Sequence, residues 1–405
     1  MREVHIVLIC GLMLIVGLII SDAYMYREVT DRSLGTAEVR LVYATSGIMP
    51  QLLNTSQVDS FFVWEPVVST AVMGNIGSEI ATEADIPPVG KWTDSACTIL
   101  VMRNDFIMKY PEIAAYLSAV TMAGIQQIHT DPDDAQNITA SWVFGSQPIR
   151  SAGVFLDPED VEEHSFKNLN FTDTAPFPGI TAMSSMEQGQ AVSGTDPSEF
   201  LDESVAMRAK ELLNGSEPEF PAEVPTVRIG YLPSSDQPAP LYVAIKDPDT
   251  MYATYGFCLK PPGPVSGHPG RCDLVVDNRT IAHVTLLPGQ VGGGIMTGLG
   301  QNAMDAAYIG SVPAEMQISM GNNASGIQSV CAGGSGLIVR NDAPCTDWDS
   351  FVSWIKERSE EHKPVIIAVP QSSIQEEIIR EAFAYENIQI TLYGLSPHDL
   401  IQDIP

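Results

Sequence analysis

Along most of the chain, apolar runs of strand length alternate with stretches of helical periodicity, the pattern of α/β units. Residues 39–43, 60–63 and 97–102 read as strands, the last fully buried, and residues 50–54 as a short helix. Between 111 and 129, Ile113, Leu117, Val120, Met122, Ile125 and Ile128 keep near-helical spacing; Asp105 reads as a cap ahead of them, and Asp131 to Asp134 ends the helix. Mixed loops and short helices follow over 141–197, then an amphipathic helix over 197–213. The stretch 215–225, with three prolines and several acidic residues, reads as a linker.

A second series of α/β units opens with a strand over 227–232 and a helix over 241–246, interrupted by a Gly/Pro-rich insertion at 261–270. Strands are expected at 304–309, 336–339 and 365–369. The last runs into Gln371-Ser372-Ser373, where Ser373 and Glu376 have capping-box spacing for a helix over 374–385. Strands that feed helix N-termini are how open α/β sheets present ligand-binding crevices.

The N-terminus changes the compartment. Residues 4–20 are almost unbroken apolar sequence behind Arg2, about 17 residues, which fits a signal-peptide core or a short membrane anchor. Residues 1–23 are therefore read as a signal peptide or anchor and 24–38 as a stalk, giving an extracytoplasmic protein, membrane-anchored or secreted. Asn-x-Ser/Thr sequons at Asn54, Asn137, Asn170, Asn214, Asn278 and Asn323 fit such a surface and make a glycoprotein of it. With 50 acidic against 21 basic residues, the formal charge of −29 repels phosphate, so nucleic acid is excluded as a partner.

In an oxidising compartment Cys258 with Cys272, and Cys331 with Cys345, are spaced for local bridges, leaving Cys97 buried in its strand. No Cys-x-x-Cys pair occurs, so neither a metal nor another cofactor is expected.

Residues 226–405 resemble the N-terminal half of the solute-binding proteins of nitrate/sulfonate/taurine-type ABC importers. The resemblance rests on Arg228-Ile229-Gly230-Tyr231-Leu232-Pro233, Tyr255-Gly256, Met304-Asp305-Ala306-Ala307-Tyr308-Ile309-Gly310-Ser311-Val312-Pro313, Trp348 to Ile355, and Val365 to Ser373. Residues 39–214 are similar to the C-terminal half of the same family, through Gln57-Val58-Asp59-Ser60-Phe61-Phe62-Val63-Trp64-Glu65-Pro66, Val101 to Ile107 and Tyr110-Pro111-Glu112. The halves thus stand in inverted, circularly permuted order. The resemblance implies an α/β, two-lobed, periplasmic-binding-protein-like fold of type II, each lobe an α/β sheet sandwich. One lobe would join about 226–342 with 93–214 and the other 346–405 with 39–90. The segments around Val39 and Ile390 would be equivalent strands.

For function the resemblance implies capture of a small molecule between two lobes and delivery to an ABC permease and its ATPase, with the membrane approached through the N-terminal segment. Four loops qualify as ligand-binding: Ser234-Ser235-Asp236-Gln237, Gly310-Ser311, Gln371-Ser372-Ser373 at a helix start, and Trp64-Glu65 with a ring face and a carboxylate. The plainer roles are helix caps for Ser372, Ser373 and Asp236, a turn for Gly310, and core for Trp64. The ligand classes the family offers are an oxyanion, a sulfonate or a pyrimidine-like compound; none of the four loops carries Arg or Lys. Enzymatic readings fail on motif: Gly298-Leu299-Gly300-Gln301-Asn302-Ala303 lies in a helix before a strand, the wrong setting for a dinucleotide fingerprint, and Gly292-Gly293-Gly294 lacks the Lys-Ser/Thr of a phosphate loop. The alternative to a transporter component is a non-transport surface sensor or interaction module built from rearranged lobes.

Overall fold

The apolar runs become the inner strands of two mixed sheets in the computed structural model, which describes residues 37–180, 200–263 and 268–393. In chain order the strands are β1 (Glu38–Tyr43), β2 (Ser60–Trp64), β3 (Gly77–Thr82), β4 (Ala96–Arg103), β5 (Ile149–Ser151), β6 (Val154–Leu156), β7 (Leu169–Phe171) and β8 (Thr226–Tyr231). They continue as β9 (Phe257–Lys260), β10 (Arg271–Val276), β11 (Arg279–Pro288), β12 (Ala306–Gly310), β13 (Ala324–Gly333), β14 (Ser335–Arg340), β15 (Val365–Val369) and β16 (Gln389–Leu392). One sheet has six strands in the order β16-β1-β15-β2-β14-β3, the other eight in the order β7-β13-β4-β12-β8-β11-β10-β9; β5 and β6 form a separate hairpin.

Parallel pairing occupies the middle of both sheets, and helices pack against their faces. β1, β15 and β2 run parallel in one, and β12, β8 and β11 in the other. Such strands are covered on both sides, which is why Val365–Val369 is nearly continuous apolar sequence without alternation; Ala96–Arg103, antiparallel to both its neighbours, is buried along almost its whole length in the same way. The helix Pro111–Thr130 covers the eight-stranded sheet against the helix Ala239–Lys246. Their axes come so close at Gly124 that a Cβ there would sit 2.2 Å from the Pro240 carbonyl oxygen.

The chain passes between the sheets twice. It leaves the six-stranded sheet after β3 and enters the eight-stranded one at β4, and it returns between β13 and β14 through Gly334. Gly333 and Gly334 both have φ of +78°, a left-handed conformation that glycine adopts without Cβ strain. The expected boundary near residue 342 is therefore corrected: β14 already belongs to the six-stranded sheet. The strands at Val39 and Ile390 are not equivalent either, since they lie side by side as parallel partners, Val39 opposite Ile390.

Other expectations shift locally. The helix anticipated over 197–213 runs from Glu203 to Leu213, with the Asp202 side chain accepting from the Ser204 amide, and its first expected residues fall outside the described ones. The strands β10 and β11, which follow the Gly/Pro-rich stretch, and the ten-residue β13 have no counterpart in the expected elements. All five described cysteines are free and buried. Cys331 lies within β13 of the eight-stranded sheet, whereas Cys345 precedes the helix Trp348–Glu360, so the two expected bridges are not formed. Residues 4–20 lie outside the described residues; among those described, no helix is long and apolar enough to cross a membrane.

Candidate functional site

The carboxyl ends of the parallel strands of both sheets converge on one cleft of ≈ 400 Å³. From the six-stranded sheet come Tyr43 at the end of β1, Trp64 at the end of β2, and Pro370 to Gln375 after β15. From the eight-stranded sheet come Leu232 and Gln237 after β8, Gln290 to Gly293 after β11, and Gly310 at the end of β12. None of the described residues lining the cleft is charged, while four of them are glutamines: Gln237, Gln290, Gln371 and Gln375.

Cys97, at the start of β4, forms the floor between two of these glutamines. Gln237 Nε2 donates to Cys97 Sγ at 2.8 Å while its Oε1 accepts from Thr98 Oγ1 at 2.7 Å. Gln375 Nε2 donates to Ser335 Oγ at 2.8 Å, on the strand just past the second crossing. Burial pushes the Cys97 thiol up to about 12, so it stays protonated and serves the site as a small neutral group.

The loop after β15 is fixed from below. Ser373 Oγ accepts from the Glu376 amide at 3.2 Å, which caps the helix Ile374–Tyr385 as the spacing predicts. The expected reciprocal bond of a capping box is replaced: the Glu376 carboxylate accepts from the Ser372 amide at 2.6 Å and from the Tyr43 hydroxyl at 2.6 Å, and pairs with Arg380 Nε at 2.8 Å. Ser372 has φ of +53°, turning its amide toward that carboxylate. The Ser372 amide, which the predicted anion cradle would use, is thereby taken up by the buried Glu376 carboxylate, itself paired with Arg380.

Of the residues singled out from the sequence, Trp64, Gln237, Gly310, Gln371, Ser372 and Ser373 line the cleft together. Trp64 is half-buried, and its Nε1 has no hydrogen-bond partner among the described residues. The other five lie elsewhere. Ser234 is exposed, and Ser235 is buried, its carbonyl accepting from the Tyr242 hydroxyl at 3.0 Å. Ser311 is buried at the first turn of the helix Ser311–Ser319. Asp236 is fully buried and turned away from the cleft, accepting from Ser165 Oγ beside Glu162. It caps no helix: the helix Ala239–Lys246 begins at Pro238 without a side-chain cap. Burial pushes Asp236 up to about 7 and Glu162 well above the usual carboxylate range.

Glu65 also points away from the cleft. Its Oε2 accepts from the Ser69 amide at 2.9 Å, and its Oε1 from Ser69 Oγ at 2.9 Å and Asn168 Nδ2 at 2.6 Å. It thereby holds the first turn of the helix Val67–Met73 against the segment after Pro158–Phe166, and it lines a second cavity of ≈ 220 Å³ with Glu79 and Glu83. Among the described residues, no group of three or more His, Cys, Asp or Glu is arranged to hold a metal ion.

The sequence reading passed over Tyr43, Cys97, Gln290, Val291 and Gln375, which also line the cleft. Gln375 is within reach of sequence, two residues beyond the Gln371-Ser372-Ser373 loop; Cys97 is not, because only the pairing of β4 with β12 and β13 carries it there.

Residues 20–143 match the family model described as NMT1-like. The uncharacterized protein MJ1180 of Methanocaldococcus jannaschii is 34% identical over 110 residues, which cover 27% of this chain and 72% of that protein. No solved structure matches.

Proposed function

Since the chain belongs, through residues 20–143, to the NMT1-like family, the family of nitrate/sulfonate/taurine-binding proteins, we propose that it is an extracytoplasmic solute-binding protein that captures a small molecule between two lobes and delivers it to an ABC permease and its ATPase. The six-stranded and eight-stranded sheets are the cores of those lobes, and the chain carries the family's halves in permuted order. The observation that carries this reading is the cleft itself: both sheets contribute the carboxyl ends of their parallel strands to it, so a bound molecule touches both and biases their approach.

Within the classes considered, the lining favours an uncharged, hydrogen-bonding compound with a flat face, of the pyrimidine-like kind. Glutamine amides offer both donors and acceptors, Trp64 offers a ring, and among the described lining residues no cation offsets the cost of desolvating an oxyanion. The six sequon asparagines are all exposed, as acceptors on an extracytoplasmic surface must be.

Thermal unfolding with a panel of nitrate, sulfate, taurine and uncharged pyrimidine-like compounds tests the reading. A ligand that binds only the folded state raises the midpoint, by about 2.7 kcal/mol of stability at a hundredfold excess over its dissociation constant. The uncharged compounds are expected to raise it and the oxyanions to leave it in place. Trp64→Ala is expected to weaken the effective compound roughly tenfold. A rise with oxyanions alone would sink the ligand class, and no rise with any member of the panel would count against capture in this cleft.

A further inference from the structure

The cavity of ≈ 220 Å³ away from the main cleft sits where the two chain crossings meet. It is lined by Glu65, Glu79, Glu83, Thr82, Asn168, Lys167, Gly334 and Ser335 among others. Glu83 is the residue with which the chain leaves the six-stranded sheet, and Ser335 the one with which it returns. They are bonded reciprocally: the Ser335 amide donates to Glu83 Oε2 at 2.9 Å, and the Glu83 amide donates to the Ser335 carbonyl at 3.3 Å. Glu65 ties in a third segment, its amide donating to the Gly334 carbonyl at 2.9 Å. The left-handed pair Gly333-Gly334 immediately precedes Ser335, so these bonds hold the chain at the point where the backbone is freest to rotate.

This cluster also reaches the ligand cleft. The residue whose amide Glu83 holds, Ser335, accepts the Gln375 side-chain amide through its hydroxyl at 2.8 Å, and Gln375 lines the cleft. A change in how Glu83 grips Ser335 is therefore one hydrogen bond from the ligand.

We propose that Glu65, Glu79 and Glu83 form a proton-sensitive clasp on the two chain crossings, tight when the cavity is neutral and loosened as its carboxylates ionise. Three carboxylates share the space, and the groups facing them add little positive charge. Asp85 adds to the repulsion on both Glu79 and Glu83; Lys167 is the cation at the rim, exposed and paired with Glu163 at 2.9 Å; His164 meets the cluster only through Ser69 Oγ, at 2.8 Å. Behind Glu65 stand Glu162 and Asp236, and beside Glu83 the neutral Cys97 thiol. Burial first, and like charge second, pushes Glu79 up to about 7; burial likewise pushes Glu83 up to about 7, even though the Ser335 amide favours its ionised form. Burial thus outweighs the backbone amides of Glu83 itself and of Ser335, and the arrangement prefers the protonated cavity. As pH rises through about 7 the clasp takes on charge and its hold on Gly334-Ser335 weakens.

Amide hydrogen exchange of the full chain at pH 6, 7 and 8, corrected for the intrinsic pH dependence of exchange, reads the clasp directly. Protection of peptides covering 83–86 and 333–336 is expected to fall about tenfold more between pH 6 and pH 8 than that of the helix Pro111–Thr130, which follows the global stability alone. Glu83→Gln keeps an acceptor for the Ser335 amide and is expected to lose most of that slope; Glu79→Gln, which removes a charge without touching the amide bond, is expected to lose part of it. Flat protection in the unmodified protein overturns the proposal, as does an unchanged slope in Glu79→Gln, whether or not Glu83→Gln folds. The link from clasp to ligand rests on the solute-binding reading, and the two fail separately. A pH-dependent crossing in a protein that no compound stabilises supports the clasp and counts against capture, whereas flat crossings in a protein that binds ligand overturn the clasp alone.

Discussion

Asp236 shows how a residue chosen as a ligand contact can serve the fold instead. Its carboxylate is fully buried against Ser165 and Glu162, one position before the cleft-lining Gln237, so it anchors the loop that presents that glutamine. Burial drives Asp236 to about 7 and Glu162 well above the usual carboxylate range, and two buried carboxyl groups in contact without a cation hold together only while they share a proton. A carboxyl raised in the folded state contributes stability that is complete below its unfolded value near 3.8 and is lost as pH rises through about 7. Melting temperature is accordingly expected to decline from pH 5 to pH 8. The share belonging to this group, at most about 1.4 kcal/mol per pH unit, should disappear in Asp236→Asn, which cannot ionise. The Glu79 and Glu83 contributions remain in that variant, so a reduced slope is the expected result; an undiminished slope in a folded Asp236→Asn protein would show that the pair is not what titrates.

At the scale of elements, the close approach of Pro111–Thr130 and Ala239–Lys246 sets where the β8 loop stands relative to the cleft. Because a Cβ at Gly124 would collide with backbone, Gly124→Ala is expected to destabilise by about 1–3 kcal/mol in denaturant unfolding, despite alanine's better helix propensity. A stabilised variant would mean the helices can part freely. Such elements were largely legible in the sequence because periodicity reports burial directly: the apolar spacing of Ile113 to Ile128, the run 365–369 and the Ser373 cap all correspond to observed structure. The hairpin strands β10 and β11 were not, since alternating partly exposed residues directly after a Gly/Pro-rich stretch give the same signal as loop. The cleft was legible only in part for a related reason. Trp64, Gly310 and Gln371 to Ser373, like Tyr43, stand at strand ends and Gln237 in the loop after one, which sequence can mark; Cys97, at the start of its strand, enters the cleft through the pairing of β4 with β12 and β13, which sequence spacing does not encode. Glu65 and Asp236 were misleading for the opposite reason, because an acidic residue after a strand looks like a ligand contact until its side-chain partners are known.

For the whole molecule, the interleaving of strands matters more than the order of the halves. The six-stranded sheet takes β1, β2 and β3 from before the 215–225 stretch and β14, β15 and β16 from after it; the eight-stranded sheet takes β4 and β7 from before it and its other six strands from after it. β4 is the most telling, since it pairs with β12 on one side and β13 on the other and is buried along almost its whole length. A break in the stretch 215–225, which is exposed or half-exposed throughout, should therefore cut the chain without separating it. With a specific protease site inserted there, the nicked protein is expected to elute as one species and to unfold in one cooperative transition, because neither fragment can complete either sheet alone. Each fragment produced separately is expected to lack a cooperative transition and to regain it on mixing. Fragments that part without denaturant, or that each melt cooperatively alone, would mean the halves are independent units, and a cleft drawing on strand ends from both could not then close as one site.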